Sequence, residues 1–165
     1  WLSILEVSFL VFRLPPFYKN FNKRLIKAPR LYFYDTGMLS YLLEIETPGH
    51  LRTHPLRGQI FENMVVADLV KTRFNQAREH GMYYFRDSNG NEVDVIHPTA
   101  NGYKIAEIKS SMTVNRDYFK GLDYFSRLVP DANVSSYLIY GGEEMQQRSN
   151  CTIIPYSNSS EFWSM

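Results

Sequence analysis

Apolar residues recur along this chain with two different periods. A spacing near 3.6 predicts helix, and alternation or clustering of β-branched and aromatic residues predicts strand. Trp1-Leu2-Ser3-Ile4-Leu5-Glu6 has the look of a helix's last turns. Val7 to Leu14 is rich in β-formers and stopped by Pro15-Pro16, which predicts a strand. Leu31-Tyr32-Phe33-Tyr34 predicts a second short strand, and Thr36 to Leu43 a helix with Met38, Leu39, Leu42 and Leu43 on one side. Pro48-Gly49 and Pro55 mark a break. From Leu56 to about Arg73, Ile60, Phe61, Met64, Val65, Val66 and Leu69 make a helix that is apolar almost all round, which predicts burial.

The rest of the chain is dominated by strands. Met82 to Arg86 and Glu92 to Ile96 flank Asn89-Gly90, a dipeptide that tolerates positive φ and signals a hairpin. Tyr103 to Lys109 follows as a third strand. Asn115 is placed to cap a helix carrying Tyr118, Phe119, Leu122, Phe125 and Leu128, ending at Pro130. Tyr137 to Tyr140 is a short continuous apolar strand, and Cys151 to Ile154 suits an edge strand. A helix between two strands predicts a right-handed crossover and parallel pairing. The fold class expected is therefore α/β with a mixed sheet, divided at the proline-rich break into residues 1–45 and 55–165. In the first unit, helix, strand, basic loop and strand suit the end of a winged-helix unit; the plainer reading is a hairpin with a solvated charged edge.

Composition narrows this further. The 165 residues are 44% hydrophobic and 21% charged, enough apolar material for a core. The longest apolar runs, such as Phe9 to Phe12, are too short to span a bilayer, so no membrane partner is expected. Trp1 opens inside an expected helix without a signal-peptide pattern, which suggests a piece of a longer protein. The single cysteine, Cys151, excludes an internal disulfide and a cysteine-based zinc site and fits the cytoplasm.

Charge is unevenly distributed. No acidic residue lies between Glu6 and Asp35, while Arg13, Lys19, Lys23, Arg24, Lys27 and Arg30 all do. Six of the 18 basic residues sit there, leaving 12 against 17 acidic ones elsewhere, so the stretch is a basic arm. Phosphates are its expected partners, with Phe17, Tyr18 and Phe21 assisting.

Four charged residues stand where a purely structural domain prefers apolar ones. Asp94 lies between Val93 and Val95 in a strand; Glu107 and Lys109 share one strand face, while Ala106 and Ile108 take the other. Glu62 sits in the most apolar helix. A buried carboxylate needs a cation, a proton or an edge position. Gathering the carboxylates around Mg²⁺ or Mn²⁺, with Lys109 beside them, meets that need and suits phosphodiester hydrolysis. Taken singly, each carboxylate also fits an ordinary salt bridge.

Glu62, Asp94 and Glu107-Ile108-Lys109, in this order and on these elements, resemble the PD-(D/E)XK nuclease superfamily. Further segments resemble a domain of unknown function found C-terminal to bacterial and archaeal AAA-type ATPases. They are Leu14-Pro15-Pro16-Phe17, Lys23-Arg24, Leu31 to Gly37, Gly58 to Asn63 and Glu92-Val93-Asp94. The resemblance implies a restriction-endonuclease-like fold acting on DNA or RNA, with an ATPase domain upstream; the alternatives are a non-catalytic nucleic-acid-binding module and a protein-interaction or regulatory domain of that ATPase. It implies Asp94 and Glu107 as metal ligands, Lys109 as the catalytic lysine and Glu62 as an accessory group. Val93 stands where the superfamily's name has proline.

Other motifs lead nowhere. Asp35-Thr36-Gly37 occurs once, whereas an aspartic protease needs two facing copies, so Asp35 or Thr36 reads as a helix cap. His50 and His54 fall among prolines and read as loop residues. No Walker A sequence is present, so this stretch alone is not expected to hydrolyse ATP.

Overall fold

A computed structural model describes residues 1–18 and 28–164. Helix α1, Leu2–Val7, leads into strand β1, Val11–Leu14, which pairs antiparallel with β2, Arg30–Phe33. β1 starts later than the β-formers predict. Helical hydrogen bonding holds the chain through Ser8, and Phe9, at φ 55°, turns it. Helix α2, Thr36–Leu42, is capped by Asp35, whose carboxylate accepts the Met38 N–H at 3.0 Å. The Pro48-Gly49 break holds a short helix, α3, Pro48–Thr53. Proline is tolerated in a first helical turn, and the Thr47 hydroxyl accepts the His50 N–H at 3.2 Å. His50 is thus helical, not a loop residue.

Helix α4 spans Arg57–Asn75, followed by β3, Tyr83–Arg86, β4, Glu92–Thr99, and β5, Gly102–Lys109. At the β3–β4 turn Gly90 has φ 84°, and buried Asp87 accepts the Asn89 and Asn91 N–H groups. Asn115 caps a 3₁₀ turn, Arg116–Phe119, that runs into α5, Lys120–Leu128. Strands β6, Asn133–Tyr140, β7, Gln146–Gln147, and β8, Thr152–Pro155, precede α6, Glu161–Ser164.

Six strands form one mixed sheet in the order β3-β4-β5-β6-β8-β7. β5 and β6 pair in parallel across the α5 crossover, as expected, and β6 and β8 are also parallel. The Cys151–Ile154 segment is not an edge strand: β7 covers β8 on its outer side. Helices flank the sheet, giving the α/β class the periodicity predicts. Ala106, Ile108, Tyr137, Ile139 and Ile154 pack with Val65, Val66, Leu69 and Val70 of α4. Ile105, Leu138, Tyr140 and Ile153 pack on the other side with Leu122 and Phe125 of α5. Covering both faces is why residues 137–140, the buried end of β6, read as a continuous apolar run; the strand itself begins four residues earlier, in the more exposed Asn133 to Ser136.

The hairpin β1–β2 is not held apart from this core. Phe12, Leu14 and Tyr32 lie in the same apolar cluster as α4. The buried Asn63 side chain grips Phe33, accepting its N–H at 2.7 Å and donating to its carbonyl at 3.0 Å. Residues 1–45 and 55–165 therefore share a core through β2 and α4. Among the described residues, no helix is long and apolar enough to cross a membrane.

One irregularity shapes the site. Tyr83 and Phe85 of β3 pair with Ile96 and Val93 of β4, so two steps on one strand meet three on the other. This β-bulge sends Val93 and Val95, which a regular strand would put on one face, into opposite clusters. Asp94 sits between them.

Candidate active site

Asp94 is pinned where β4 begins and β5 ends. Its Oδ2 accepts the Ile108 N–H at 2.9 Å, and its Oδ1 lies 3.3 Å from Arg30 Nη1. Strand alternation turns Glu107 away from the α4 face, and Lys109 Nζ stands 2.5 Å from Glu107 Oε1. Glu107 Oε2 is buried without a hydrogen-bond partner. Gly121 lets α5 approach closely here, because a Cβ at that position would sit 2.0 Å from the Glu92 carbonyl oxygen. From the other side α4 supplies Glu62, whose Oε1 accepts the Tyr32 hydroxyl at 2.5 Å and faces Arg30 Nη1 at 3.2 Å.

Arg30 ties these groups together. Besides Glu62 and Asp94 it pairs with Glu92, and its guanidinium lies 4.5 Å from the Tyr84 ring centroid. Arg86, half exposed at the rim, reaches Glu92 at 3.4 Å. Among the described residues, four carboxylates thus face three cations.

Their mutual influence shows in the pKa shifts. Burial raises Asp94 well above the usual carboxylate range, Glu107 and Glu62 push it further, and Lys109 and Arg30 oppose. Burial also raises Glu107, although Lys109 pulls it down. Burial works against the Lys109 ammonium, but Asp94 and Glu107 outweigh it and the net shift is upward. Burial and Glu62 raise the Tyr32 phenol. Glu62, Asp94, Glu107 and Lys109, far apart in sequence, therefore form one electrostatic unit.

The expected nucleic-acid-binding residues are placed differently. Arg30 is turned into the carboxylate cluster rather than out along the arm. Arg13 pairs with Glu6 at 2.6 Å and stays half exposed. Lys19, Lys23, Arg24, Lys27 and Phe21 lie outside the described residues. Phe17 packs edge-on against Tyr83, Tyr103 and Phe125, while Tyr18 is exposed. Four members of the cluster, Arg30, Tyr32, Arg86 and Glu92, are not marked out by charge on an apolar element. Arg30 and Tyr32 are two apart on β2, so alternation alone puts them on one face.

A family described as a domain of unknown function, DUF4143, matches residues 57–158. The chain belongs to this family. A second domain of unknown function, DUF8612, matches residues 1–49 of this DUF4143 protein. Uncharacterized proteins of Mycobacterium bovis and Mycobacterium tuberculosis are each 30% identical to it over 113 residues, 68% of this chain and 25% of theirs. The chain spans about a quarter of the length of these relatives.

The oxygens that this DUF4143 protein gathers in the cluster are those of four carboxylates and the Tyr32 hydroxyl, and carboxylate oxygen is the donor chemistry of a hard divalent ion. Its orphaned Glu107 oxygen and excess of carboxylates fit such an ion. The arrangement does not yet provide one: among the described residues no three Asp, Glu, His or Cys side chains converge as a metal site. Arg30 stands between Glu62, Glu92 and Asp94 instead.

Proposed function

We propose that this chain is a nuclease-like, nucleic-acid-acting domain of the PD-(D/E)XK kind, with a restriction-endonuclease-like sheet that follows a winged-helix remnant. The observation that carries this reading is the union of Glu62, Asp94, Glu107 and Lys109 in one unit at the bulged start of β4. In it Asp94 and Glu107 would hold Mg²⁺ or Mn²⁺, which when bound would supply Lewis-acid activation for phosphodiester hydrolysis. Lys109 orients water or offsets charge on the phosphorus, and Glu62 is accessory. Domains of this family are commonly found with AAA-type ATPases, which supports an ATPase domain in the same chain and a cytoplasmic setting, with DNA or RNA as partner.

Cleavage of single- and double-stranded DNA and of RNA, with Mg²⁺, Mn²⁺ or Ca²⁺, tests the proposal. Mg²⁺ and Mn²⁺ should support cutting, and Ca²⁺ should bind without comparable turnover. Asp94→Ala and Glu107→Ala should abolish cutting, and Lys109→Ala should abolish it while sparing metal binding. Arg30's three ion pairs favour a second reading, a charge-balanced module that binds nucleic acid without metal. Wild-type protein that binds DNA but neither binds a divalent ion nor cuts selects that reading.

A further inference from the structure

Among the described residues, Arg30 is the cation with the most carboxylate partners. Its guanidinium meets Glu62 at 3.2 Å and Asp94 at 3.3 Å, also pairs with Glu92, and stacks over Tyr84. It arrives from outside the DUF4143 match: residue 30 lies in the 1–49 segment, whereas the carboxylates lie within 57–158. The strand that carries it is a four-residue member of a two-stranded sheet, attached to α4 through Asn63 and Tyr32. On the far side of the cluster, Glu107 Oε2 remains without a partner.

We propose that Arg30 is an internal cation that keeps this carboxylate cluster closed to a divalent ion, and that the site opens when Arg30 leaves. This rests on the metal-binding reading of the cluster given above. A guanidinium spanning Glu62, Glu92 and Asp94 occupies the space and the oxygen lone pairs that an ion needs, and its charge repels a second cation. The occupants exclude each other, so metal binding and displacement of Arg30 are a single equilibrium. Phosphate is the chemistry suited to drawing Arg30 away, since it offers a guanidinium the same paired oxygens as a carboxylate. Linkage is reciprocal, so a phosphate ligand that releases Arg30 also raises metal affinity.

Titration calorimetry with Mn²⁺ on this chain, wild type, Arg30→Gln and Arg30→Gln/Asp94→Asn, tests the lock. Glutamine keeps hydrogen-bond donors but removes the charge. Arg30→Gln should bind Mn²⁺ at least about tenfold more tightly than wild type, and adding Asp94→Asn should erase the gain. Equal or weaker binding by Arg30→Gln, with measurable wild-type binding, overturns the lock and leaves the metal site standing. Absence of binding in wild type and Arg30→Gln alike overturns both. Should Arg30→Gln fail to fold, Arg30→Lys replaces it. A single ammonium cannot span three carboxylates, so Mn²⁺ binding should still tighten, and an affinity no greater than wild type overturns the lock.

Discussion

Ile108 donates its backbone N–H to Asp94 Oδ2 at 2.9 Å, so the residue between Glu107 and Lys109 is fastened to the carboxylate that the two flank. This bond and the Arg30 pair give Asp94 a structural task separate from any chemistry. Asp94→Ala leaves a buried N–H unpaired and deprives Arg30 of a counter-charge, which should cost about 3 kcal/mol. Asp94→Asn keeps an acceptor for Ile108 and should cost less than half as much. Urea unfolding of the two variants at pH 7 checks the order. Equal losses would mean that the Ile108 bond carries little of the stability.

Asn63 joins α4 to β2 through both backbone groups of Phe33. Asn63→Ala strands that N–H and carbonyl together and should destabilise the fold by about 2–3 kcal/mol. Because β2 also carries Arg30, the loss should loosen the carboxylate cluster. Hydrogen exchange in peptides covering β2 should quicken more than exchange in β6, which lies inside the six-stranded sheet. A uniform change across both strands would show that Asn63 acts on global stability alone.

What the sequence reveals depends on how local the deciding physics is. β5, α5 and β6 are legible because a helix between two apolar strands leaves few topologies. Asp35 is legible as a cap because capping is settled within four residues. Glu62, Asp94, Glu107 and Lys109 stand out because charge on an apolar element is costly. The inward turn of Arg30 is not legible: its attraction to Asp94 acts across 64 positions, and within its own stretch it resembles five other basic residues. The bulge at Asp94 is hidden for a similar reason, since register belongs to two strands rather than one. β7 is too short for any period to show, and Pro48 marks a break because proline signals the start of a helix and the end of one equally well.

Asp87 anchors the β3–β4 turn. Its Oδ1 accepts the Asn89 and Asn91 N–H groups, and its Oδ2 accepts the Asn91 amide and the Tyr124 hydroxyl. Burial pushes this carboxyl upward, but the hydrogen bonds from Tyr124, Asn91 and Asn89 outweigh it, so its folded pKa lies below the ordinary value. A depressed acid pKa contributes stability above the unfolded value, near about 4, and that contribution is lost as pH falls through the folded value. Asp87→Asn should therefore be less stable than wild type by about 1–2 kcal/mol at pH 7, and the gap should close towards pH 3. Urea midpoints at the two pH values measure this, and a gap as wide at pH 3 as at pH 7 would show that the charge is not what stabilises the turn.

The basic arm makes a prediction that the placement of Arg30 sharpens. Arg30 is held by carboxylates and Arg13 by Glu6, which leaves Lys19, Lys23, Arg24 and Lys27 as the arm's candidates for phosphate. If about three of them neutralise phosphates, the logarithm of DNA affinity should fall against the logarithm of salt with a slope near roughly −3. Replacing Lys23 and Arg24 with alanine should bring the slope to about −1 if both make contacts and to about −2 if one does, because each lost contact removes nearly one released counterion. Without metal, Arg30→Gln should leave it unchanged, since with no ion to take its place among the carboxylates the guanidinium stays paired with them and releases no counterion from DNA. Fluorescence anisotropy with a short duplex across a salt series reads all three slopes. A slope that flattens in Arg30→Gln would place Arg30 on the phosphate backbone. Affinity that ignores salt in every variant would instead assign the arm to a protein surface.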